Sequence, residues 1–159
     1  MIEKKRLTKE QALQKIRYYV NYQERCHQEV KDKLYSFGLY KQDVETLIAT
    51  LIEENHLNEE RFATMFAGGK FRMKNWGRVK IRYELKQMRI SDYCIRIGLK
   101  VIDETAYRAS LEKIAQKKWE SLSGEKNQFS KKAKTLGSLL SKGYEPELAR
   151  EILTRISSK

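Results

Sequence analysis

One short motif returns three times along the chain, and it leaves few folds open. Leu34-x-x-Phe37-Gly38-Leu39 is matched by Leu85-x-x-Met88-Arg89-Ile90 and by Leu139-x-x-Lys142-Gly143-Tyr144. The offsets between the turn residues are 51 (89 − 38) and 54 (143 − 89). After each turn the same register resumes. Val44, Leu47, Ile48 and Leu51 correspond to Ile95, Gly98, Leu99 and Ile102, and then to Ala149, Ile152, Leu153 and Ile156. Spacing of i, i+3, i+4, i+7 marks one face of a helix. A glycine just past a helical stretch suits the left-handed conformation that ends many helices. Self-similarity at this period indicates tandem helical units.

The rest of the pattern fills in each unit. Thr8 and Gln11 have capping-box spacing, and Ala12, Leu13, Ile16, Tyr19 and Val20 then form an apolar face. A second helix is expected over Arg25 to Phe37, and a third from about Asp43. Asn58 opens a fourth, with Phe62, Ala63, Phe66 and Met73 expected to face inward. Gly68-Gly69 are expected to mark a bend or a close helix contact, since each weakens a helix by about 1 kcal/mol relative to Ala. Thr8, Asn58 and Asp103 are the three unit-opening caps. The expected fold is therefore all-α: three tandem three-helix repeats in an elongated, curved array. The repeats span 7–56, 57–102 and 103–157, the last with a polar loop at about 121–132. Each unit alone buries a marginal core, so neighbours must share interfaces.

Composition narrows the function classes. A single proline argues against a many-turned β protein. No apolar run approaches the roughly 18 residues that span a bilayer. The charged start MIEKKRLTKEQ does not read as a secretory signal. Two cysteines, Cys26 and Cys94, suggest no disulfide framework and a reducing cytoplasm.

The charge is concentrated. Gly68 to Ile90 carries Lys70, Arg72, Lys74, Arg78, Lys80, Arg82, Lys86 and Arg89 against Glu84 alone, +7 of a chain total of +12. A cluster this dense points to a polyanion or an acidic protein groove. Arg78, Arg82 and Lys86 share one helical stripe. Taken singly, each Lys or Arg suits a solvated face; the cluster as a whole does not. Trp76 reads first as a plug between units and second as a stacking platform. The acidic stretch Tyr35 to Ala67, with two basic and six acidic residues, is expected to face solvent.

Other chemistries lack support. Gly68-Gly69-Lys70 is not a phosphate-binding loop, because GxxxxGK[ST] is missing. Cys26-His27 has no second pair at zinc spacing, and His56 reads as a loop residue. No catalytic arrangement emerges, and no cofactor or metal is expected.

The chain also resembles a known family. Leu34-x-x-Phe37-Gly38, the run Leu47 to Leu51, and LNEERFATMFAGGKFRMKNWGRVKIRYELKQMRIS are similar to the RecX family, regulators of the RecA recombinase. The likeness covers nearly the whole chain and is strongest over 26–102. It departs from the family pattern at Asn58, where Asp is frequent, and at Arg89, where Gly is frequent. The resemblance implies a non-enzymatic, all-helical modulator that binds along RecA–DNA filaments and limits their extension, strand exchange and ATP hydrolysis. The charge reading, independent of the resemblance, offers the eight cations as the contact residues and disfavours a membrane surface; a monomer is expected. Two alternatives remain: a sequence-independent DNA-binding helical module, with weak affinity for ssDNA or dsDNA, and a scaffold whose basic face meets an acidic protein.

Overall fold

The computed structural model describes residues 6–158, and among them all regular structure is helical. The first trio is α1 (Lys9–Tyr22), α2 (His27–Ser36) and α3 (Lys41–Glu53). The second is α4 (Glu59–Lys74), α5 (Arg78–Gln87) and α6 (Asp92–Leu99). The third is α7 (Glu104–Ser121), α8 (Gln128–Ser141) and α9 (Pro146–Ser157). Every extensive helix–helix contact falls inside one of these trios. The accessible surface is 10356 Å², against about 8,300 Å² for a compact monomer of 18.9 kDa. The array is open, as stacked units require.

Local chemistry sets the boundaries. Thr8 closes a full capping box with Gln11, and Asn58 and Asp103 each accept a hydrogen bond from the third backbone N–H of their helices. The three turns share one backbone form: φ is +86° at Gly38, +61° at Arg89 and +94° at Gly143. Glycine reaches that region freely, whereas a side chain there is strained. The aligned apolar positions are buried in all three units, Ile48 only in part, and Ile102 lies just past the end of α6. Gly98 stands where Leu47 and Ile152 stand, and α4 moves into the space. A Cβ on Gly98 would lie 2.7 Å from the Ala63 carbonyl.

Some elements differ from the sequence pattern. α2 starts at His27 rather than Arg25, because Cys26 is its extended N-cap. α4 runs without a break through Gly68 and Gly69; Gly68 is buried, and Arg72 lays its guanidinium over it. Met73 points to solvent at 84% exposure, off the inward face. The linker before α8 is shorter than 121–132. α7 extends through Ser121, and Asn127 accepts from the Ser130 N–H to start α8 a turn earlier.

Buried side chains form two clusters, not three. One, from Ala12 to Leu57, belongs to the first trio. The other runs through the second and third trios and takes in Cys26 from the first. Neighbouring trios meet in a repeated way. The start of a unit's second helix packs against the left-handed turn of the next unit. Gly77, capping α5, donates its N–H to the Lys142 carbonyl at 2.8 Å, and Val79 N–H donates to the Gly143 carbonyl at 2.8 Å. At the first trio's own turn the preceding chain takes that place: Leu7 N–H donates to the Phe37 carbonyl at 3.0 Å.

Candidate polyanion-binding surface

The eight cations of the basic stretch separate into groups with different surroundings. α4 carries Lys70, Arg72 and Lys74 in its last turns. Asn75 then reverses the backbone with φ of +57°, placing Trp76 and the start of α5 beside them. Lys70 Nζ lies 5.0 Å and Lys80 Nζ 4.6 Å from the centre of the Trp76 ring. The ring's other neighbour is Phe66, edge-on at 6.3 Å. Trp76 is half-buried against the larger core, so it both plugs the unit and seats two ammonium groups on its negative faces.

On α5, Lys80 and Arg82 lie roughly 200° apart around the axis. Lys80 faces Trp76. Arg82 faces a groove of ≈ 530 Å³ that it lines with Arg78, Arg96, Lys100 and Glu145. Lys86 pairs with Asp92 at 3.5 Å, both exposed. Arg89 occupies the strained turn and borders a mixed groove containing Lys31, Glu45 and Glu59.

Arg78 has a different role. Its Nη1 meets Glu104 at 2.8 Å and its Nη2 meets Glu145 at 2.7 Å. Its guanidinium carbon sits 3.9 Å above the Tyr107 ring, and its backbone N–H donates to the Tyr107 hydroxyl at 3.0 Å. Tyr107 in turn donates to Glu145. Burial, then the Glu145 contact, holds the Tyr107 phenol well above its ordinary pKa. Hydrogen bonds from Arg78 and then Arg108 lower the pKa of Glu104. Arg78 is bound into the junction of the second and third trios.

The structure adds cations that local charge density did not single out. A groove of ≈ 530 Å³ between α7 and the ends of α4 and α8 is lined by Lys113, Lys117, Lys118 and Lys142, with no carboxylate among the described residues of its wall. Lys142 Nζ donates to the Lys74 carbonyl at 3.4 Å, which joins this groove to the end of α4. Among the described residues, none of these four lysines forms an ion pair. Such a wall suits a polyanion, since each ammonium can replace condensed counterions. Lys113 and Lys117 stand at i, i+4 on α7, a spacing visible in the sequence. Their meeting with Lys142 across the fold is not.

The remaining polar groups have ordinary partners. His27 Nδ1 lies 3.4 Å from Glu59, and His56 Nε2 lies 3.5 Å from Glu54. Burial pushes the Cys26 thiol up to about 11, so it stays neutral. Among the described residues, no three His, Cys, Asp or Glu side chains gather as a metal site would need.

Comparison with known proteins gives one family. Residues 58–99 match the family model for the second three-helix domain of RecX, and 106–153 match that for the third. Regulatory protein RecX of Clostridium tetani is 32% identical over 133 residues, 83% of this chain and 61% of the relative. That of Clostridium perfringens strain 13 is 30% identical over 135 residues, 84% of this chain and 63% of the relative. The chain thus spans less than two thirds of the length of these relatives. Regulatory protein RecX of Prosthecochloris aestuarii is 28% identical, with 91% of this chain and 93% of the relative covered. The crystal structure of RecX from Lactobacillus salivarius superposes with a TM-score of 0.86 at 21% identity, covering 95% of this chain and 97% of that one. At that identity it supports the fold alone.

Proposed function

The chain belongs to the RecX family of regulatory proteins, and from that premise we propose that it is a non-enzymatic inhibitor of the RecA recombinase. It binds the RecA–DNA filament, limits its extension and so damps recombination. The observation that carries this reading is the carboxylate-free lysine wall of Lys113, Lys117, Lys118 and Lys142, adjoining Lys74. Lys70 and Lys80, gathered on Trp76, extend the contact, while Arg82, on the opposite flank of α5, and Arg72, Lys86 and Arg89 lie at its margins. We take 7–56, 57–102 and 103–157 as the modules that follow successive parts of the filament. The protein works as a cytoplasmic monomer; among the described residues, no helix is long and apolar enough to cross a membrane.

Co-sedimentation with RecA–ssDNA filaments, run beside gel shifts on bare DNA at matched salt, tests the reading. The filament is bound much more tightly than bare DNA. Equal affinity for filament and bare duplex overturns the proposal in favour of a plain DNA-binding module. Lys113→Glu with Lys117→Glu weakens filament binding and leaves the melting temperature unchanged, because both side chains are exposed or half in solvent. On bare DNA, the slope of log affinity against log salt falls by about 0.7 to 0.9 for each phosphate contact removed.

A further inference from the structure

The first trio holds a groove outside this basic surface. It measures ≈ 610 Å³ and lies between α1 and α2, lined by Lys15, Tyr18, Tyr19, Tyr22, Arg25, Lys33, Gln14 and Phe37. Tyr18 is 75% and Tyr22 73% exposed. Two rings this large, left in water side by side, gain nothing from the core. They stand at i, i+4, about 6 Å apart along the helix axis. Tyr19, behind them, is already covered: Arg25 sits 3.9 Å and Lys33 5.4 Å from its ring centre. Lys33 also lies 5.8 Å from the centre of the Phe37 ring. Among the described residues, no carboxylate lines the groove; Glu29, 3.6 Å from Arg25, is the nearest acid in ion-pair range.

Aromatic rings in sequence beside cations, here Lys15 and Lys33 with no ion pair among the described residues, are what a single nucleic-acid strand requires. Each base offers a π face to a ring, and the cations meet the phosphates. A duplex hides its base faces and cannot use the tyrosines. An acidic peptide would satisfy the cations but leave the two rings without flat partners. We propose that this groove binds unpaired nucleotides of single-stranded DNA, stacking successive bases on Tyr18 and Tyr22, with Lys15 and Lys33 beside the backbone. The site goes beyond the filament reading. It needs no RecA and lies on a different trio from the lysine wall.

Fluorescence anisotropy with a labelled oligo(dT) strand, and with a duplex of equal length, tests it on the full chain. Replacing both tyrosines (Tyr18→Ala with Tyr22→Ala) weakens oligo(dT) binding roughly 5- to 150-fold for each stacked base lost. Duplex affinity stays the same, and so does the melting temperature, since both rings are exposed. Tyr18→Phe with Tyr22→Phe restores binding, because the ring and not the hydroxyl is needed. Photocrosslinking of a bromodeoxyuridine-substituted strand labels the α1 peptide. Unchanged oligo(dT) affinity in the alanine variant, an equal loss on duplex, or crosslinks confined to the Trp76 region each overturns the proposal. So does an acidic peptide that displaces no strand but loses its own affinity in the alanine variant. The Lys113→Glu and Lys117→Glu variant retains this oligo(dT) loss-and-rescue pattern even if filament binding fails, so the two readings fall separately.

Discussion

The two junctions of the array use one geometric plan and are built from different residues. Between the second and third trios, Gly77 meets Gly143, and their backbones touch. A Cβ on Gly77 would lie 2.3 Å from the Gly143 carbonyl carbon, and one on Gly143 would lie 2.2 Å from Lys80 Cβ. Two backbone hydrogen bonds cross this contact, the Phe71–Tyr107–Tyr144 rings pack beside it, and Tyr144 donates to the Asn75 carbonyl at 3.0 Å. Between the first and second trios the matching residues are Cys26 and Arg89. Cys26 is 1% exposed and keeps its N–H for Glu29 at 3.2 Å. A groove of ≈ 360 Å³ borders Arg89 there. Side-chain contacts, the Arg61–Glu24 ion pair and His27 Nδ1 3.4 Å from Glu59, do the joining. One junction is a backbone lock, and the other is a side-chain contact. That explains why the larger core runs unbroken through two trios while the first keeps its own. It also predicts that the first trio is the more movable part.

The sharpest way to break this contrast is at the matched caps. Gly77→Ala places a methyl against backbone that cannot step aside, and a destabilisation of about 3 kcal/mol is expected, at the upper end for overpacking. Cys26→Ala at the equivalent cap removes one buried sulfur and costs about 1 kcal/mol. Urea unfolding of both variants checks the difference. Equal losses would mean that the two junctions carry the same load.

Next in size is Arg78→Ala, which takes the guanidinium away from Glu104, Glu145 and the face of the Tyr107 ring, while the backbone N–H at 78 still reaches the Tyr107 hydroxyl. A loss of about 2 kcal/mol is expected, in the range for hydrogen bonds to charged groups. The same junction sets a pH window. Glu104 titrates below its ordinary value of 4.5 in the folded chain. Its contribution is therefore present above pH 4.5 and fades as pH falls through the lower folded value. Tyr107 titrates above its ordinary 10.0 because it is buried. Its contribution is full below pH 10 and fades as pH rises beyond it. Urea midpoints measured against pH should plateau between these limits. Glu104→Gln makes the acid limb shallower and leaves the alkaline one; Glu54, held low by Arg17, and Glu125, held low by Lys134, supply the rest of the acid limb. An unchanged acid limb in that variant would remove Glu104 from the junction's electrostatics.

Much of this architecture is written locally. The caps Thr8, Asn58 and Asp103, the three turns and the i, i+3, i+4, i+7 faces all follow from neighbours within one helix. What needed the fold was long-range. Arg78 looks like one more exposed cation in the run from Lys70 to Arg89, yet residues 26 and 67 positions away, Glu104 and Glu145, bind it into the junction. Lys142 reaches Lys74 across 68 positions, so only the Lys113, Lys117 and Lys118 part of the lysine wall is local in the sequence. Lys80 and Arg82, two residues apart, part company because helical geometry puts them on opposite flanks. The linker before α8 was read too long because polar residues that suit a loop suit a solvated first turn equally well.

Arg89 yields the smallest expected effect and the one of opposite sign. Its two counterparts are glycines, and it alone holds a side chain at positive φ in these turns. The strain of that conformation is about 1–2 kcal/mol, and part of it is offset because an unfolded Gly has more conformations to lose. Arg89→Gly should therefore raise stability by about 0.5–1 kcal/mol. The same change removes a cation from the edge of the looser junction. If Arg89 meets the filament, co-sedimentation weakens in a variant that unfolds later, and no folding defect can account for the loss. If binding is unchanged while stability rises, Arg89 sits outside the contact. A fall in stability would mean that its side chain joins the first two trios after all, and the contrast between the junctions would be smaller than their backbones suggest.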